Sequence, residues 1–202
     1  MKKLLVLLLS ITGAFASIQG WYAGAEGRYE YHNYSNSLQW NRNVSLESKS
    51  KPHQKLVGGA FVGKNLAFGK NYLGAELKLL TPTSQRKTFA YEDDSINVAL
   101  KRGVATILSV KAGTFITDSQ SVYLKPSVLV AKYTSKNSFK SSKRKINFVP
   151  TIGTERLIND KMIMRLEYEY MPSVKVRSTK DGITHAHGEK VHVASAGVAY
   201  KF

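Results

Sequence analysis

The chain has 202 residues, no cysteine, and a formal charge of +16, from 30 Lys and Arg against 14 Asp and Glu. Lack of cysteine excludes a disulfide framework, a thiolate metal centre and a cysteine nucleophile. Moderate apolar content, 11 Tyr, 15 Gly and few Pro suit one domain with a polar average, without low-complexity tract, helical repeat or linker.

The first 17 residues read MKKLLVLLLSITGAFAS. Two lysines, an apolar run and the small-x-small motif Ala14-Phe15-Ala16 describe a signal peptide, residues 1–16, ahead of a mature domain, residues 17–202. The run is shorter than the ~20 apolar residues that span a bilayer, which argues against an anchor helix. No later stretch approaches such a length, so an exported chain of this kind can cross a membrane only as a closed barrel.

Along the mature chain eight alternating segments recur: 20–32, 55–64, 71–81, 103–115, 121–133, 146–157, 161–171 and 191–202. The connections alternate in length: long at 33–54, 82–102, 134–145 and 172–190, short at 65–70, 116–120 and 158–160. An even strand number, with long outer loops and short periplasmic turns, predicts an all-β fold, an eight-stranded antiparallel transmembrane β-barrel of up-and-down topology.

The segments GWYAGAEG, VGGAFVGKN followed by YLGAELKL, SVKAGTFITDSQSVYLKPSV, TIGTERLINDKMIMRLEYEYM and the closing GVAYKF resemble the eight-stranded outer-membrane barrels of the opacity-protein and OmpX-like superfamily. The likeness covers nearly the whole mature chain, and departs from the pattern at Lys64, where an aromatic is common. It implies the bacterial outer membrane, contact with its lipid and lipopolysaccharide, and surface roles such as envelope integrity, adhesion or immune exposure. It also makes Phe202 part of an insertion signal read by the barrel-assembly machinery.

Alternation divides each strand into two faces. One carries Trp21, Ala23, Ala25, Tyr29, Tyr31, Leu73, Ala75, Leu77, Leu79, Val104, Thr106, Leu108, Val110, Ala112, Val122, Leu124, Val128, Val130, Met162, Met164, Leu166, Tyr168 and Tyr170, none of them charged. The other carries Glu26, Arg28, Glu30, Glu76, Lys78, Lys111, Lys125, Glu155, Arg165, Glu167, Glu169 and Lys201, six acids and six bases. A charge facing mid-bilayer lipid costs about 2–4 kcal/mol, so lipid on one side would enforce this segregation. A soluble barrel would show the same alternation with the faces exchanged; the signal peptide and Phe202 favour the membrane.

Glu26/Glu30 and Glu167/Glu169 are paired carboxylates from which acid–base chemistry can be built. An eight-stranded barrel, however, is only just wide enough for its own side chains, which favours a lumen closed by ion pairs. His185 and His187 lack a third close ligand, and the nearby glycines suggest a loop, so no metal and no cofactor is expected. His192 and Ser195, three apart on a strand, face opposite ways and make no hydrolase pair. Lys136, Lys140, Lys143, Arg144 and Lys145 fall within residues 134–145 without an acid, a basic loop suited to lipopolysaccharide phosphates or to host or environmental polyanions; nucleic acid would require export to be ignored. The expectation is a non-enzymatic surface protein with basic outer loops, serving envelope structure or adhesion. A narrow porin-like channel is the alternative, and an envelope lipid-modifying enzyme comes third.

Overall fold

In the computed structural model, residues 18–40, 44–91, 94–136, 141–180 and 183–202 are described. The expected signal peptide, residues 1–16, lies outside them. The described strands are β1 (Gly20–Trp40), β2 (Val44–Phe68), β3 (Asn71–Leu80), β4 (Thr83–Tyr91), β5 (Asp94–Phe115), β6 (Gln120–Lys136), β7 (Ser141–Leu157), β8 (Met162–Lys180) and β9 (Ile183–Lys201).

All pairings are antiparallel; β9 returns onto β1, and β3 pairs with β5 as well as β2, so the sheet closes on itself. Leu80 faces Ala105 and Thr83 faces Arg102, one uninterrupted register along β5. β3 and β4 are therefore two halves of one barrel strand, broken at Thr81 and Pro82, and the barrel is a closed, up-and-down, eight-stranded one.

The strands run well past the expected ends, and much of 33–54, 82–102, 134–145 and 172–190, read from sequence as loop, is paired strand. Beyond the bilayer there is neither lipid outside nor a packed lumen inside, so nothing imposes alternation and only backbone pairing carries the strand on. His185 and His187 accordingly lie in β9, opposite Ser178 and Val176, and not in a loop.

Prolines decide where the wall parts. β7 and β8 pair as far as Thr151↔Glu169, and the next rows of the same register would set Pro150 against Tyr170 and Phe148 against Pro172. β2 and β3 pair to Gly59↔Leu80, Thr81 adds one bond to the Gly58 carbonyl at 3.0 Å, and the next row would bring in Pro82. Proline has no N–H to give a ladder. Among the described residues, the part above the barrel is thus two sheets, β2-β1-β9-β8 and β4-β5-β6-β7.

The lumen is layered. Tyr22, Phe61, Tyr72, Phe115, Tyr123 and Ile163 pack together near the short turns, and Val57, Leu80, Ile107, Leu129, Val149, Met171 and Val193 pack towards the long hairpins. On β3, β5, β6 and β8 the order from the turn end is the aromatic layer, then charged residues, then the aliphatic layer. Four aromatic rings of the lower layer lie against glycines of the neighbouring strand: Phe61 on Gly24, Tyr22 on Gly63, Tyr72 on Gly113 and Tyr123 on Gly153. A Cβ at Gly113 or Gly153 would stand 2.5 Å from a tyrosine ring atom. Each of Gly113→Ala and Gly153→Ala is therefore expected to lower stability by about 1–3 kcal/mol through overpacking. Gly27→Ala, with nothing within 4 Å of the added methyl, should be nearly neutral. Urea titration of the refolded protein in vesicles compares the three, and equal midpoints would mean the rings yield without cost.

Candidate functional site

The alternation of β1, β3, β5, β6, β7 and β8 points Glu26, Arg28, Glu30, Glu76, Lys78, Lys111, Lys125, Glu155, Arg165, Glu167 and Glu169 into the lumen, all buried. Lys201 has the same parity but stands half-buried at the barrel's rim. The apolar face points out, with Leu73, Leu108, Val110, Leu124 and Leu166 each about half exposed on the isolated barrel surface. The lumen, not the exterior, holds the charge.

Sequence reading overlooked two members. Arg102 is buried and donates to Glu30 at 3.1 Å. Its parity is opposite to that of Lys111, because the β5–β6 register slips by one residue between Arg102 and Ala105. A β-bulge changes which face a side chain takes, and strict alternation cannot anticipate it. His32 shares the parity of Glu30 and places Nε2 3.2 Å from its carboxylate; it could have been found by counting His among the luminal polar residues. With Arg102 included, the buried described residues hold six carboxylates and six Lys or Arg.

These charges form one web. Arg28 grips Glu169 through two bonds of 2.7 Å and reaches Glu26 at 3.0 Å. Lys78 lies 2.8–3.1 Å from Glu26, Glu167 and Glu169. Lys125 bridges Glu76 at 3.1 Å and Glu167 in a very close contact. Lys111 pairs with Glu155 at 2.7 Å beneath the faces of Tyr22 and Tyr123, 4.8 and 4.9 Å from their centroids. Arg165 binds Glu76 and stacks 3.4 Å from the Phe61 centroid, while the Tyr22 and Tyr123 hydroxyls donate to Glu76 and Glu167 at 3.0 and 2.7 Å.

β3 and β8 stand four strands apart in a ring of eight, so Lys78–Glu167 and Arg165–Glu76 cross the full diameter. The carboxylate pairs Glu26/Glu30 and Glu167/Glu169 are each held by cations and lie within the layered lumen, a poor setting for proton transfer to a substrate. Among the described residues no group of three His, Asp or Glu suits a metal ion. His192 faces outward, its Nδ1 2.7 Å from the Tyr168 hydroxyl, whereas Ser195 is buried in the lumen.

Of the expected basic loop 134–145, residues 134–136 and 141–145 are paired strand. Lys136 lies opposite Ala99, Lys143 opposite Tyr133, Arg144 opposite Lys132 and Lys145 opposite Ala131. Lys140 falls outside the described residues. Arg144 and Lys132 are exposed, Lys145 is half-buried, and the exposed Lys101 lies on the adjoining strand opposite Thr134. The side chains that face out therefore extend from the expected cluster onto β5 and β6. Directly below, Ile146 and Phe148 are exposed at the top of the apolar band.

A family profile for the OmpA-like transmembrane domain matches residues 17–202. The chain belongs to this family. Among solved structures, OprG from Pseudomonas aeruginosa is similar at 14% identity, over 91% of this chain and 96% of that one, with a TM-score of 0.60. Ail of Yersinia pestis, in complex with the heparin analogue sucrose octasulfate, shares 14% identity over 91% of this chain and 100% of that one, at a TM-score of 0.45. Neisserial surface protein A shares 12% identity over 91% and 98%, also at 0.45. No curated protein matches the chain. This OmpA-like barrel is a bacterial outer-membrane protein.

Removing one member of a buried charge web leaves its partners uncompensated, at a cost of about 3–5 kcal/mol. Arg165→Leu should lose that much, and Arg165→Leu combined with Glu76→Leu should cost less than the two single losses together by about 0.5–3 kcal/mol. Urea unfolding in phospholipid vesicles measures the cycle; strict additivity would mean that the two groups do not act as a pair.

Proposed function

We propose that this barrel is a non-catalytic, non-conducting anchor that holds a basic sheet outside the cell, with the short turns in the periplasm, and that the sheet binds polyanions. The observation that carries the reading is the outward row of Lys101, Lys132 and Arg144 on β5, β6 and β7, set just above the apolar Ile146 and Phe148. Rigid strands fix the spacing of these cations more firmly than a loop would, and fixed charges attract polyanions at lower entropic cost. Lipopolysaccharide phosphates and sulfated glycans share the needed chemistry.

The channel alternative must contend with the web and its two flanking apolar layers, since an ion would have to part trans-luminal pairs and then cross hydrocarbon. Planar-bilayer recording of the mature protein should therefore show no stable conductance, and reproducible channels would replace the sealed anchor by the narrow pore. The enzyme reading finds its carboxylates engaged by cations.

Lys101→Ser, Lys132→Ser and Arg144→Ser combined should leave folding intact and elute from heparin at lower salt than the parent. Parent retention should itself fall as salt shortens the ~8–10 Å screening length. Loss on heparin alone would favour adhesion, and loss on lipopolysaccharide vesicles alone would favour envelope anchoring. Unchanged retention on both would remove the polyanion role and leave the anchor.

A further inference from the structure

Between residues 56 and 68 the outward face of β2 carries Leu56, Ala60, Val62, Leu66 and Phe68, and one charge, Lys64. Its Cα lies opposite Trp21 on β1, and its ammonium stands 5.3 Å from the Trp21 ring centroid. The Phe202 N–H donates to the Trp21 carbonyl at 3.0 Å, which sets the end of β9 beside Trp21. There Tyr200 and Phe202 meet edge to face, their centroids 5.5 Å apart. Lys161, from the turn before β8, places its ammonium 5.9 Å from the Tyr200 centroid. Two ammonium groups thus flank three aromatic rings in one band at the turn end of the barrel.

Trp and Tyr mark the depth of lipid headgroups, so the band sits where phosphates lie. A lysine that merely escaped lipid would extend into water; these two are drawn back over aromatic faces and held at girdle depth. No carboxylate lies on the outward faces of β1, β2 or β9 in this stretch, and among the described residues neither ammonium has a carboxylate partner. Asp160, next to Lys161 in the turn, is exposed to water.

We propose that Lys64 and Lys161, held over Trp21 and Tyr200, each bind a headgroup phosphate of anionic glycerophospholipid in the periplasmic leaflet. The leaflet rests on the orientation given under Proposed function; the headgroup chemistry does not. The site would act as a collar, tying the turn end of the barrel to one lipid class independently of what the outer sheet binds.

The chain has 2 Trp, so Trp40→Phe makes Trp21 the sole indole reporter. This protein is refolded in phosphatidylcholine vesicles containing acyl-brominated phosphatidylglycerol or, for comparison, brominated phosphatidylcholine, and quenching of Trp21 gives the relative affinity. A preference of about five-fold or more for phosphatidylglycerol is expected, falling with salt. It should drop to near unity in Lys64→Ser/Lys161→Ser and to intermediate values in Lys64→Gln and Lys161→Gln, with folding checked by heat-shifted gel migration. Lys132→Ser/Arg144→Ser should keep the full preference, whatever becomes of heparin binding. Equal quenching by the two lipids, or an undiminished preference in the double variant, would overturn the site. Protease on intact cells should spare Lys70, and cleavage there would overturn the leaflet assignment alone.

Discussion

Every other feature of this barrel depends on one constraint: a charge inside a narrow lumen has no water to solvate it and must be answered by an opposite charge. The uncompensated cost is several kcal/mol per ion, more than most single contacts return. Closure of the sheet brings β3 opposite β8 and β5 near β7, and the web joins those strands through Lys78, Arg165 and Lys111. Register is thereby fixed from inside as well as by the backbone ladder. A slip of one residue in β8 would turn Arg165, Glu167 and Glu169 into lipid and take Arg165 from Glu76 and two carboxylates from Lys78.

The two flanking layers make the constraint sharper. The glycines under Tyr22, Tyr72 and Tyr123 let those rings lie against the wall, where all three cover Lys111 and two donate to Glu76 and Glu167. The same rings therefore close the lumen and satisfy the charges above them. Above the membrane the constraint lapses, and the structure changes character at the prolines: β7 parts from β8 at Pro150 and Pro172, and β2 from β4 near Pro82. Among the described residues, pairing then holds within each of the two upper sheets.

What could be read from sequence follows the same boundary. Between the interfaces, lipid on one side and ions on the other write a period of two, and residues such as Leu124 and Lys125 or Leu166 and Glu167 announce their faces unaided. Which face was inside had to come from closure, since alternation is symmetric to exchange. Beyond the interfaces the period fades, so strands at 33–40 or 141–145 looked like loop although their backbones pair. Arg102 was hidden by a register slip, and Lys132 by its place within an assigned membrane strand, although it pairs directly with Arg144 of the cluster. Lys64 was visible as an exception to the family pattern; only its contact with Trp21 gives that exception a physical setting.

Why the lumen is ionic at all is a separate question, because a packed apolar interior of the same volume is often as stable as buried ion pairs. The answer offered by the chain lies in transit rather than in the final state. With leucines in place of Glu76, Lys78, Arg165, Glu167 and Glu169, residues 72–80 and 162–171 would become unbroken apolar runs of strand-forming sequence. Such runs are too short to span a bilayer as helices, but they combine the features of aggregation-prone segments. Alternating charges keep each unpaired strand soluble, and only closure of the ring brings the charges together. Ion pairing across the diameter is thus compatible with export of the unfolded chain and with a dry interior once folded, which an apolar core of equal stability would not be.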